Sequence, residues 1–175
     1  VLGTADDEFG SFGVVRQDAS QVVQGAHWSS DGNSVFLLDK SGVLSKVSGG
    51  ELKEEKQLNL GRSCSWMSRS KEGLLVLASE PAELLVLDES LAVRKKIGLS
   101  DEIRVVSSPS LSIAFATAYN SPDLVVVDLK AGKIAKKHAA SALIDASKKA
   151  KLNDKTTRLT SWPNVSVTPD GAWLF

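Results

Sequence analysis

A chain of 175 residues that is 42% hydrophobic and 24% charged has the composition of an ordinary folded domain, not of a disordered segment. Its 21 basic and 21 acidic side chains cancel to a formal net charge of +0, so no global positive field exists to hold nucleic acid or an anionic membrane. One Cys excludes an intrachain disulfide framework and any multi-cysteine metal site.

Residues 1–21 read as an N-terminal segment or the end of a preceding unit. A first unit follows over residues 22–60, with short strands expected at about Val22–Ser29, Ser34–Asp39, Val43–Ser48 and Leu52–Leu60. A second unit, 61–100, repeats the pattern at about Ser63–Ser68, Leu74–Ser79, Glu83–Asp88 and Ala92–Leu99. A third, 101–138, repeats it at about Ile103–Ser108, Ile113–Tyr119, Asp123–Leu129 and Lys133–His138. The segment 139–163 interrupts the period by roughly 20 residues. It is basic, with Lys148, Lys149, Lys151, Lys155 and Arg158 set against Asp145 and Asp154. A further unit starts at 164–175. The chain begins at Val1 and stops at Phe175 inside what reads as a strand, so a piece of a longer protein is expected. No apolar run reaches the roughly 18 residues of a membrane-spanning helix.

The units are in register. Val47, Leu87 and Val127 close matching apolar runs about 40 residues apart, the period of a four-stranded repeat. Helices are excluded because the apolar runs are about four to six residues long and are bounded by Gly, Pro, Asp and Asn. Leu74–Ala78 and Leu124–Val127 are apolar without alternation, which requires a strand with both faces dry. The fourth strands are charged, as in Lys53-Glu54-Glu55-Lys56 and Arg94-Lys95-Lys96, which suits an outer edge facing water.

Val165-Ser166-Val167-Thr168-Pro169-Asp170-Gly171 and Ala26-His27-Trp28-Ser29-Ser30-Asp31-Gly32 resemble the start of a blade in WD40-like and YVTN-type β-propellers. Leu124-Val125-Val126-Val127-Asp128-Leu129-Lys130-Ala131-Gly132-Lys133 resembles the third strand, turn and fourth strand of a YVTN blade. The resemblance implies an all-β fold, a propeller segment of four-stranded antiparallel blades. It also implies that the first strand of each blade lines a central channel. The chain departs from the WD40 pattern in lacking Gly-His and Trp-Asp dipeptides. Three units and a beginning do not close a ring of 4–8 blades, so the remainder is expected from the same chain or another copy.

Chemistry is sparse. His27 and His138 lie in different units with no ligand-spaced Cys or carboxylate, so no metal site and no cofactor are expected. Arg62 beside Cys64 would lower the thiol pKa, yet a small buried thiol is the expected state. No nucleophile elbow, P-loop or dinucleotide fingerprint is present, and no catalytic residue is assigned. Trp28 and Trp66 are expected to occupy matching places on the first strands, with Val106 third, and are read as packing between blades. Candidate partner or ligand contacts are His27 on an inner strand, Arg62 and Arg104 on loops at one channel mouth, and Trp162, Lys148 and Lys149 in the basic loop. The bland alternative for each is surface charge or loop packing. The leading function is a non-catalytic interaction module or scaffold that binds a protein or small ligand at the channel mouth. The alternative is part of a propeller enzyme, lactonase-like or quinoprotein-like, whose active groups are shared with other blades.

Overall fold

The structure, a computed structural model, describes residues 23–51, 53–100, 102–118, 123–139 and 168. Twelve strands form three antiparallel four-stranded sheets, each in simple meander order. Sheet 1 contains β1 (Val23–Trp28), β2 (Ser34–Asp39), β3 (Val43–Ser48) and β4 (Glu54–Asn59). Sheet 2 contains β5 (Cys64–Ser70), β6 (Gly73–Ala78), β7 (Glu83–Leu87) and β8 (Val93–Gly98). Sheet 3 contains β9 (Glu102–Val106), β10 (Ile113–Ala118), β11 (Asp123–Asp128) and β12 (Lys133–Ala139). The sheets stack face to face in chain order. Their first strands β1, β5 and β9 adjoin most closely, and the fourth strands β8 and β12 touch less. That wedge places the first strands on the inside.

Sheet 2 explains the unbroken apolar runs. Leu74, Val76, Leu85 and Leu87 pack with Phe36, Leu38 and Leu44 of sheet 1. The alternate residues Leu75, Leu77, Leu84 and Val86 pack with Ala114, Ala116, Val125 and Val127 of sheet 3. Side chains alternate between faces along a strand, so burying both faces demands an apolar residue at every position. All eight of these sheet 2 side chains are at most 4% exposed. At about 25 cal/mol per Å² of buried apolar surface, this double contact is the chief cohesive element.

Acidic and hydroxyl side chains set the turns that follow the third strands. Asp88 Oδ1 accepts hydrogen bonds from the Ser90 and Ala92 amides at 2.8 and 3.0 Å. Asp128 Oδ1 accepts from the Ala131 amide at 2.8 Å. In sheet 1 the matching residue is Ser48, whose hydroxyl accepts from the Lys53 amide at 3.2 Å across a longer turn. These bonds hold the Asp88 carboxyl well below the ordinary carboxylate pKa, the Ser90 hydroxyl contributing most.

The ladders correct the expected match of the tryptophans. Lining up Val47 with Leu87 makes Val35 equivalent to Leu74, since each pairs with the other. Opposite them lie Trp28 and Arg69. Trp66 instead faces Leu77, three places away on the other face, and packs with the core between sheets 2 and 3. Val106 is the ladder equivalent of His27 and Ser68, being paired with Phe115 as they are with Phe36 and Leu75. Counting residues misleads here because the turn after β1 spans residues 29–33 and that after β5 only 71–72.

Gly73 is required by geometry. Its φ is 130°, and a Cβ there would stand 2.2 Å from the Leu87 carbonyl oxygen. Gly73→Ala is expected to destabilise the fold by about 2–3 kcal/mol through strain and the forced separation of β6 from β7. Chemical denaturation of the variant beside wild type measures this.

Candidate functional site

The inner strands end at a common lower rim, formed by the turns after β1, β5 and β9. A cleft of about 560 Å³ opens there. Its walls are built from equivalent places on successive sheets. His27 and Ser68 share one ladder position, and Trp28 and Arg69 share the next. Ser107 and Pro109 of sheet 3 complete the lining.

Each wall residue is held by its local fold. The turn after β1 closes on Asp31, which accepts the Ser29 hydroxyl at 2.6 Å and the Asn33 amide at 3.0 Å. Gly32 provides the positive φ of 73° that this reversal needs. The hydrogen bonds from Ser29 and Asn33 lower the exposed Asp31 carboxyl to about 2. In sheet 2 the Ser70 hydroxyl donates to the Gly73 carbonyl at 3.0 Å and accepts the Glu72 amide at 3.2 Å, replacing the Asp-Gly device. In sheet 3 the Ser107 hydroxyl donates to the Ile113 carbonyl at 2.6 Å. Hydroxyls thus tie the three turns whose residues frame the cleft.

Arg69 joins two sheets across the cleft. Its guanidinium donates to the Trp28 carbonyl and, at 2.6 Å, to Glu89 Oε1. The same carboxylate oxygen accepts the Ser30 amide at 3.1 Å. Only 16% of the Arg69 side chain is exposed, so this ion pair is more sheltered than an ordinary surface pair. Trp28 is 48% exposed beside it. His27 Nε2 sits 3.2 Å from the Met67 carbonyl, which fixes Nε2–H as the donor. Burial is the largest effect on His27 and lowers its pKa; the Met67 bond opposes this and the Arg69 charge adds to it. The ring at neutral pH is therefore uncharged.

The remaining sequence candidates lie elsewhere. Arg62, at the opposite, upper end of β5, pairs with Glu83 at the start of β7. Arg104 lies over the Trp66 ring, 5.2 Å from its centroid. The structure therefore engages the two arginines separately rather than gathering them with His27. Trp162, Lys148 and Lys149 fall outside the described residues, as do the basic loop apart from Ala139 and the start of the further unit apart from Thr168. Cys64 is buried, and that burial outweighs the pull of Arg62, so its pKa is pushed up to about 11. It is a packing thiol of the core between sheets 1 and 2. Among the described residues no three His, Cys, Asp or Glu side chains cluster as metal ligands, and no helix is long and apolar enough to cross a membrane.

No family model matches the sequence, and no curated protein matches it significantly. Solved structures do match. Hydrazine synthase from Kuenenia stuttgartiensis aligns over 85% of this chain and 40% of its own, with 17% identity and a TM-score of 0.66. The β-propeller domain of Myceliophteria thermophila Cps50 (Swd1) aligns over 69% of this chain and 44% of its own, with 14% identity and a TM-score of 0.58. U3-55K aligns over 70% of this chain and 41% of its own, with 9% identity and a TM-score of 0.61. The fold is that of a β-propeller segment. The three sheets are its blades, and the chain spans less than half the length of these matched structures. The cleft lies at the inner ends of blades 1, 2 and 3.

Two outcomes follow from the site. Arg69→Met removes the donor to Trp28 and leaves Glu89 without its cation, so a loss of about 2 kcal/mol in unfolding free energy is expected by urea titration. His27 has its pKa lowered in the fold, so the unfolded chain takes up a proton first as pH falls. Its stability contribution is complete above the unfolded value near 6.5 and is lost progressively below it, down to the lowered folded value. Thermal melts between pH 8 and pH 5 are expected to show a decline that is shallower in His27→Gln.

Proposed function

We propose that this chain is part of a non-catalytic β-propeller interaction module that holds a segment of a protein partner at the lower-rim cleft. The observation that carries this reading is Trp28. A half-exposed tryptophan on an inner strand, lining the cleft together with His27 and several serines, has the character of an interface anchor. An exposed aromatic ring supplies contact area at small entropic cost, and its neighbours offer donors and acceptors to a peptide backbone. Lys71, exposed at the same rim, favours a partner segment with an acidic side chain. The Arg69–Glu89 pair is already matched internally and serves as the wall, not as the recognition charge.

The site differs from the mouth suggested by Arg62 and Arg104, and one experiment separates the two. A random phage-displayed peptide library is panned on the wild-type chain, and enriched peptides are titrated against variants. Enriched peptides are expected to be rich in acidic residues and to lose roughly tenfold or more in affinity to Trp28→Ala, with a smaller loss to Lys71→Glu. They are expected to bind Arg62→Gln unchanged. Peptides that bind Trp28→Ala as wild type but fail on Arg62→Gln place recognition at the upper rim and sink the lower-rim reading.

A further inference from the structure

The fourth strands of blades 1 and 2 make the same contact with the blade that follows. Lys56 lies opposite Lys46, and Lys95 lies opposite Val86, each pairing one place before Val47 or Leu87. Lys56 Nζ donates to the Ser90 carbonyl at 2.7 Å, two residues beyond Asp88. Lys95 Nζ donates to the Lys130 carbonyl at 2.6 Å, two residues beyond Asp128, and to the Leu129 carbonyl at 2.7 Å. An ammonium on each fourth strand thus caps the same carbonyl of the next blade's third-to-fourth strand turn. The chemistry suits the place. A tight turn leaves carbonyl lone pairs unpaired, and an ammonium has three donors on a flexible stem.

Blade 3 carries the same device with nothing described in its grip. Val126 pairs with Lys136, so Lys136 occupies the place of Lys56 and Lys95. It is exposed and has no hydrogen-bond or ion-pair partner among the described residues. The apolar places beside it repeat too. Phe115, Leu124 and Val126 hold the positions of Leu75, Leu84 and Val86, the blade 2 residues that pack on blade 3.

We propose that Lys136 caps the carbonyls of the third-to-fourth strand turn of a further blade seated on blade 3, and that this is the blade begun by residues 164–175 of this chain. The ammonium complements the partial negative charge of the turn, and the face continues the interface between blades 2 and 3. Each described blade packs on the one next in sequence, and 164–175 is the next unit, its Asp170-Gly171 matching Asp31-Gly32.

Amine footprinting tests this on the protein isolated at its natural length from its source cells. The native protein is treated with limiting N-hydroxysuccinimidyl acetate, and acetylation of each lysine is quantified by mass spectrometry. Lys136 is expected to react about tenfold more slowly than Lys137 and at a rate similar to Lys95, as a charge-assisted hydrogen bond predicts. Lys136 reacting as fast as Lys137 overturns the proposal. Protection lost on dilution, while Lys95 stays protected, assigns the occupant to a second copy and overturns the same-chain assignment. Lys136→Met is expected to lower the melting temperature by about as much as Lys95→Met, with Lys137→Met unchanged. Equal melting of Lys136→Met and wild type also overturns it.

Discussion

The double burial of blade 2 is the constraint on which the rest depends. β6 and β7 have no face that meets water, so their side chains satisfy two neighbours at once. Leu75 and Leu77 are packed by blade 3 while Leu74 and Val76 are packed by blade 1, so each strand is held from both sides. That lock aligns the inner strands, and the inner strands in turn bring His27, Trp28, Ser68 and Arg69 together at one rim.

Apolar packing is non-directional and cannot by itself set how blades are rotated against each other. Directional bonds at the margins do so. On the upper rim, the Cys64 amide and the Ser63 hydroxyl both donate to the Lys40 carbonyl, at 3.1 and 3.0 Å. On the lower rim, the Lys71 amide donates to the Leu111 carbonyl at 2.8 Å, and the Ser112 hydroxyl donates to Glu72 at 2.7 Å. Arg69 and the fourth-strand lysines complete the set. The bonds to Lys40, Leu111, Glu72 and Trp28 and those of the two lysines cross between blades, and each acceptor is a backbone carbonyl or a carboxylate.

The fold was legible where turn residues and apolar runs coincide. Ser34–Asp39 and Val43–Ser48 emerge from the sequence with their observed limits because Asp31-Gly32-Asn33 and Lys40-Ser41-Gly42 bracket them. The continuous run Leu74–Ala78 correctly announced a strand between two sheets. The inner strands were less legible. Bulges at Val23/Gly25 and Cys64/Trp66, and unequal turns after β1 and β5, break the link between residue count and ladder position. That is why Trp28 read as the equivalent of Trp66. Of the cleft, His27 alone was singled out as a contact. Arg69 and the serines were missed because neither type carries a signal in isolation. The available signal was serine recurring at the end of every inner strand, at Ser29 and Ser30, Ser68 and Ser70, and Ser107 and Ser108.

The wall that Arg69 makes has a thermodynamic consequence. Because its guanidinium holds the carbonyl of one blade and the carboxylate of the next, the cleft exists only while those blades stay docked. A molecule bound in it therefore has differential affinity for the docked arrangement, and linkage makes the effect reciprocal: occupancy tightens the joint, and loosening the joint expels the occupant. Recognition at this rim and the mechanical integrity of the propeller are in that sense a single equilibrium.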